Sequence, residues 1–309
     1  MPLLSRRRTI LAKIETTYGT DPTPTGAANA IVVRNLDVTP LNATIVSRDL
    51  IRPYLGNYDQ LVAAQNVQAT FEVEIAGSGA AGTAPAYGCL LRACGMSETV
   101  VASTSVTYAP ISTGFESTTI YFNVDGVQHK ITGARGSVTA SFAAAAIPVF
   151  KFTFTGLYNA PTDVAVPSVT YTQQVPLPVN ATNTSAFQLF SYAGNMKSFD
   201  FDLAADIQYR ELVSTKYVQY IDRKPSGTVL LEAVPIATKD YFAAALGTTT
   251  GNLTFLHGTT AGNRVTFTAA QTDIINPTYT DDNGVQMLSV PVVFLPTTAG
   301  NNEFSFAFT

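Results

Sequence analysis

The chain has 309 residues, with 46% hydrophobic and only 13% charged residues and a net charge of −4. That length allows two ordinary domains or one large one. So few charges cover a lone soluble molecule poorly and point to surface buried against other subunits, and the negative balance argues against a protein that grips nucleic-acid phosphates.

In chain order, "SRRRTILAK" (Ser5 to Lys13) has the arginines of an export signal without the apolar stretch that should follow, so export is not expected. No 18-residue apolar run predicts a membrane helix. "TYGTDPTPTG" (Thr17 to Gly26) is too rich in proline for a regular element, and residues 1–30 read as an extended arm. "TFEVEIA" (Thr70 to Ala76) alternates Phe71, Val73 and Ile75 with Glu72 and Glu74, the period of a strand with one buried face. A helix is predicted over Pro85 to Cys94, with Tyr87, Leu90, Leu91 and Cys94 on one stripe and Gly95 as its stop. "TTIYFNVDGVQHKITG" (Thr118 to Gly133) reads as a hairpin turning at Asp125-Gly126. "FKFTFTG" (Phe150 to Gly156) and "FDFDL" (Phe199 to Leu203) alternate again. Between them, Tyr158 to Ser185 carries Pro161, Pro167, Pro176 and Pro178 and reads as a linker. A second helix is predicted over Lys239 to Leu246, capped by Thr238 and ended by Gly247.

The halves repeat. "ATFEVEIA" (Ala69 to Ala76) is answered by "GTVLLEAV" (Gly227 to Val234), and "VFKFTFTGL" (Val149 to Leu157) by "MLSVPVVFL" (Met287 to Leu295), with one helix in each half and an insertion at residues 96–117 of the first. The fold class expected is mainly β: two tandem antiparallel sandwich-like or barrel-like units, each with one helix. The arm spans 1–30, the units 31–157 and 186–309, and the linker 158–185.

Candidate chemistry is sparse. Gly77, Gly79 and Gly82 form G-x-G-x-x-G, with Glu98 sixteen residues on, but the strand before them carries two glutamates and the matching junction of the second half has no such glycines. A dinucleotide turn needs a parallel βαβ unit, so no cofactor is expected. His129 and His257 lack partners for a zinc site, and Asp281-Asp282-Asn283-Gly284 is too short for a calcium loop. Cys89 and Cys94 fall on the first helix and read as packing.

"LAKIETTYGTDPTPTGAANAIVVRNLDVTPL", "RDLIRPYLG", "FEVEIAGSGAAGTAPAYGCLLRACG" and "VDGVQHKITGARG", in that order, resemble the tail tube (major tail) proteins of long-tailed bacteriophages. The resemblance implies units whose sheets join around a ring into a β-barrel, rings that stack, a lumen that carries DNA during ejection without binding it specifically, and no active site. The partners implied are copies of the chain and other tail proteins at the tube ends. The place implied is the virion tail, assembled in the host bacterial cytoplasm, with no membrane. Many relatives place six single-domain subunits in a ring, and two units per chain favour a trimeric, pseudo-hexameric ring over a hexamer. Glu72, Glu74, Asp200 and Asp202 are candidate lumen-facing residues, the outer face being the alternative. Arg6, Arg7, Arg8, Tyr18 and Asp21 are candidates for an arm latching one ring to the next. Competing readings are a capsid or tail-terminator component and a surface adhesin.

Overall fold

A period of two sends successive side chains to opposite faces of a pleated strand, and here nearly every such run becomes part of an antiparallel sheet. The computed structural model describes residues 2–309 and is mainly β, with three short helices. The first half runs β1 (Arg8–Ile14), α1 (Gly26–Asn29), β2 (Ala30–Ile31), β3 (Arg34–Ser47), β4 (Gln60–Glu74), α2 (Gly88–Ala93), β5 (Met96–Val101), β6 (Ser105–Pro110), β7 (Thr118–Val124), β8 (Val127–Ala143) and β9 (Val149–Tyr158). A proline-rich passage holding β10 (Thr162–Asp163) leads to β11 (Thr184–Leu189), β12 (Met196–Asp202), β13 (Ala205–Leu212), β14 (Thr215–Arg223), β15 (Ser226–Glu232) and α3 (Tyr241–Leu246). The chain ends with β16 (Gly251–His257), β17 (Val265–Ile274), β18 (Thr278–Asp282), β19 (Val285–Phe294) and β20 (Ser305–Phe308).

The pairing order of one half recurs in the other. Laterally the first half reads β1, β7, β8, β9, β4, β3, and the second reads β11, β16, β17, β19, β15, β12, all antiparallel. The halves join edge to edge, because β12 pairs with β8 through Asp202↔Thr139 to Ser198↔Ala143. They join again where β20 lies between β17 and β6, so the 96–117 insertion docks the C-terminal strand. The pairings branch but never return on themselves, and one chain does not close a barrel. A separate hairpin, β13–β14, lies against β8 and β9.

One aromatic core runs through both halves. Phe71, Phe152 and Phe154 cluster with ring centroids about 6 Å apart in the first, and Phe142 of β8 meets Phe199 and Phe255 of the second. Rings at these spacings add edge and offset contacts to the burial of apolar area.

The structure corrects several local expectations. The N-terminal segment is not irregular throughout: within it β1 pairs along its whole length with β7 and buries Ile10, Leu11 and Ala12, and α1 and β2 follow the proline-rich stretch. The first helix is shorter than expected, since Pro85 to Tyr87 form a turn ahead of Gly88, although Tyr87, Leu90, Leu91 and Cys94 are all buried as the stripe requires. The cap of α3 is Asp240 rather than Thr238, because its carboxylate accepts from the Ala243 N–H at 2.8 Å. The hairpin turn lies at Asp125-Gly126 as expected, both in the left-handed region.

The glycine pattern also finds its physical use. Gly77 donates its N–H to Asn263 Oδ1 at 2.8 Å and Gly79 donates to the Gly262 carbonyl at 2.9 Å. A Cβ on Gly77 would lie 2.0 Å from that carbonyl oxygen. The glycines let the backbones of the two halves touch. Gly77→Ala is expected to cost about 1–3 kcal/mol, read as a lowered denaturation midpoint with unchanged secondary structure.

Candidate functional site

Rows of residues facing one another across β4, β9, β8, β12 and β15 define one shared face, polar except at Val149. One row runs Glu72, Lys151, Thr139, Asp202, Ser226, and the next runs Glu74, Val149, Ser141, Asp200, Thr228. The intervening residues, among them Phe71, Val73, Phe150, Phe152, Ala140, Phe199, Phe201 and Val229, point the other way into the core. Alternation along each strand fixes which residues share a face, and pairing carries that face from strand to strand. All four acidic candidates, Glu72, Glu74, Asp200 and Asp202, therefore lie on one face that crosses the junction between the halves.

The electrostatics of that face are mixed rather than uniformly acidic. Arg34 donates to Glu72 Oε2 at 2.8 Å and lies 3.9 Å from Glu74. Lys151 stands in the same row between Glu72 and Asp202. Ser141 donates its hydroxyl to Asp200 at 2.6 Å, and Asp202 accepts from the Ala204 N–H at 2.8 Å. Around the two aspartates a shallow groove is lined by Thr139, Ser141, Ser226 and Thr228. Small hydroxyls, and carboxylates only partly offset by Arg34 and Lys151, give this face little to hold a polyanion.

The arm candidates divide. Glu15, which is 7% exposed, accepts from Ser117 Oγ and Thr119 Oγ1 at 2.6 Å and from the Gly19 and Gly133 N–H groups at 2.7 Å. Beside it, Tyr18 donates to the Gly133 carbonyl and accepts from the Val218 N–H, tying the arm to β8 and β14. Arg135 stacks over the Tyr18 ring and donates to Val218, Phe115 and Glu116 carbonyls. Asp21 accepts from Tyr121 and from Lys130. Burial raises the Asp21 carboxyl, but the hydrogen bonds from Tyr121, Thr23 and Lys130 outweigh it and leave it below the ordinary aspartate value. Its contribution is thus present at neutral pH and is lost as the pH falls through that depressed value. Tyr18 and Asp21 bind the arm to its own chain. Arg7 pairs with Asp125 at 2.6 Å, while Arg6 and Arg8 line a groove with Arg34 and Tyr171. Glu15→Ala is expected to remove about 2–3 kcal/mol of stability and to open residues 15–25 to limited proteolysis.

A second surface was not legible as functional in the sequence. The outer part of the β3–β4 hairpin and its loop leave Ile45, Val46, Ile51, Tyr54, Leu55, Leu61 and Val62 exposed, with Ile51 and Leu55 wholly uncovered. The tip of β13–β14 does the same with Leu212 and Val213. Apolar residues inside "RDLIRPYLG" were the available signal, but period alone cannot say that a hairpin outgrows its core.

The remaining candidates are structural. Burial pushes the Cys89 thiol up to about 12 and the Cys94 thiol well above its ordinary value, so neither supplies thiolate at neutral pH. His257 is buried, bonded to Thr184 and to the Leu177 carbonyl, and desolvation lowers its pKa; it pins the linker to β16. His129 stacks on Phe122. Among the described residues no group of three or more His, Cys, Asp or Glu side chains is placed to hold a metal, and no helix is long and apolar enough to cross a membrane.

An open antiparallel sheet with free edges, a polar face and exposed apolar hairpins has the form of an assembling structural subunit. The chain belongs to the phage tail tube protein family, whose model matches residues 5–294, and it is a structural protein of the virion tail. No curated protein matches the chain.

Proposed function

We propose that this chain is the repeating subunit of a tail tube, with residues 31–157 and 186–309 as two tube-like units, 158–185 as the linker and 1–30 as the arm. Three copies make a ring of six units, rings stack, and DNA travels through the lumen without being bound in a fixed register. The carrying observation is the polar face shared by Glu72, Glu74, Asp200 and Asp202, which passes from one half to the other across β8 and β12 without a break. We assign that face to the lumen. The opposite face is filled by the aromatic core, and a wall of hydroxyls with opposed charges avoids the cumulative phosphate attraction that a basic lining would create.

Edge pairing also explains the low charge. An unpaired strand edge recruits further strands unless it is protected, and closure of a ring removes it. The arm groove with Arg6 and Arg8, together with the exposed apolar hairpins, supplies surface for the neighbouring ring, and other tail proteins cap the tube ends. Electron microscopy of the purified chain at rising concentration tests the assignment. Stacked rings of uniform width are expected, and mass per ring separates three copies from six. A chain that stays monomeric, or that builds closed shells, rejects it.

A further inference from the structure

The junction inside the chain is a template for the junction between chains. There, Asp200, Phe201 and Asp202 of β12 face Ser141, Ala140 and Thr139 of β8, and Ser141 donates to Asp200 at 2.6 Å. Each of these strands has a counterpart in the other half, identified by a shared neighbour. Thr70 of β4 and Thr228 of β15 hold matching places in the repeat; the first faces Asp37 of β3 and the second faces Asp200 of β12. Val38 therefore matches Phe201, and Thr39 matches Asp202. Likewise Val149 of β9 and Met287 of β19 match; they face Ser141 of β8 and Thr280 of β18. The long β8 is represented in the second half by two strands: β17 runs along β19 as far as Ile274↔Val292, and β18 takes up the same course from Thr278↔Ser289. Tyr279 therefore matches Ala140, and Thr278 matches Thr139. The intrachain partners are used up in joining the halves. Their counterparts are not: β3 pairs only with β4 and β18 only with β19 among the described residues. Asp37, Thr39, Thr278, Tyr279 and Thr280 are all exposed.

We propose that β18 of one copy pairs antiparallel with β3 of the next, with Thr280 opposite Asp37, Tyr279 opposite Val38 and Thr278 opposite Thr39. This deepens the ring reading and rests on it. The Thr280 hydroxyl then donates to Asp37 as Ser141 does to Asp200, continuing the polar face around the ring. On the core side, Val38 covers Tyr279, which otherwise stands half-exposed against Phe242 of α3. Pro40 follows Thr39 and has no N–H to extend the ladder, which keeps the contact short.

The test uses the full chain carrying Asp37→Cys with Thr280→Cys, assembled and then oxidised. Residues directly opposite in an antiparallel pair lie within disulfide reach, whereas offset ones do not. A ladder of covalent oligomers on a non-reducing gel is expected, with about one tenth as much from the offset pair Thr39→Cys with Thr280→Cys and none from the parent chain. A second arm needs no cross-link. Thr280→Asp sets a carboxylate opposite Asp37 and is expected to raise the concentration needed for assembly by about tenfold, with recovery on adding Asp37→Ser. Tubes that form while only the offset pair links, or a Thr280→Asp chain that folds and assembles normally, overturn the register and leave the tube reading standing. A parent chain that forms no rings at all overturns both.

Discussion

Replacing Arg223 with alanine is expected to lower stability by about 3–5 kcal/mol, seen as a thermal midpoint falling on the order of 5–10 °C. Arg223 and Glu303 form an ion pair at 2.8 Å whose side chains are only 10% and 8% exposed. The guanidinium donates twice to Glu303 Oε1, and also to Asn301 Oδ1 and to the Ile111 carbonyl. It thereby holds together the end of β14, the segment after β6 and the approach to β20. Alanine leaves a buried carboxylate without its cation, and that desolvated charge, more than the lost attraction, sets the size of the effect. Arg223→Met combined with Glu303→Leu should recover most of the loss, because neither partner then buries a charge. If the single variant melts with the parent, the pair is solvated in solution and contributes little.

Reversing charge on the polar face is expected to act on DNA release rather than on assembly. Glu74→Lys with Asp202→Lys turns two negative positions of each subunit positive. Both carboxylates make fewer contacts than Glu72, which is bonded to Arg34 and Asn35, so these replacements disturb the fold less than one at Glu72 would. Around a lumen the added cations would repeat in every ring, and counterion release makes their hold on passing phosphates steep in salt. Triggered DNA release from phage carrying the variant, followed with a DNA-binding dye, should slow markedly at low ionic strength and return towards normal as salt is raised. Intact tubes with unchanged release at every salt concentration would place this face on the outside.

The strands were the most legible part of the fold. Phe71 with Val73, Phe150 with Phe152 and Phe154, and Phe199 with Phe201 all proved to be core-facing, because alternation in a pleated strand is a local geometric fact. The Asp125-Gly126 turn was equally local. Less legible was the strand at Arg8–Ile14: "RTILAKI" lacks clean alternation, and it is a strand because β7 offers it an edge. The C-terminal "FSFAF" does alternate, burying Phe304, Phe306 and Phe308, yet nothing in it names β6 and β17 as its neighbours. Glu15 gave no sign of its role either, since its four donors come from residues 19, 117, 119 and 133.

Residue order was thus enough to establish a mainly β chain, the buried and polar sides of its chief strands, the recurrence of its halves and its likeness to tail tube proteins. Steric and solvation preferences acting over a few residues suffice for all of these. Folding in three dimensions decided which strand lies beside which: that β12 crosses to β8, that four distant carboxylates come to share one face, and that glycines 77 and 262 let the halves touch. Backbone ladder bonds are much the same whichever strand supplies the partner, so neighbours are chosen by the packing of the whole molecule and cannot be read from any one segment.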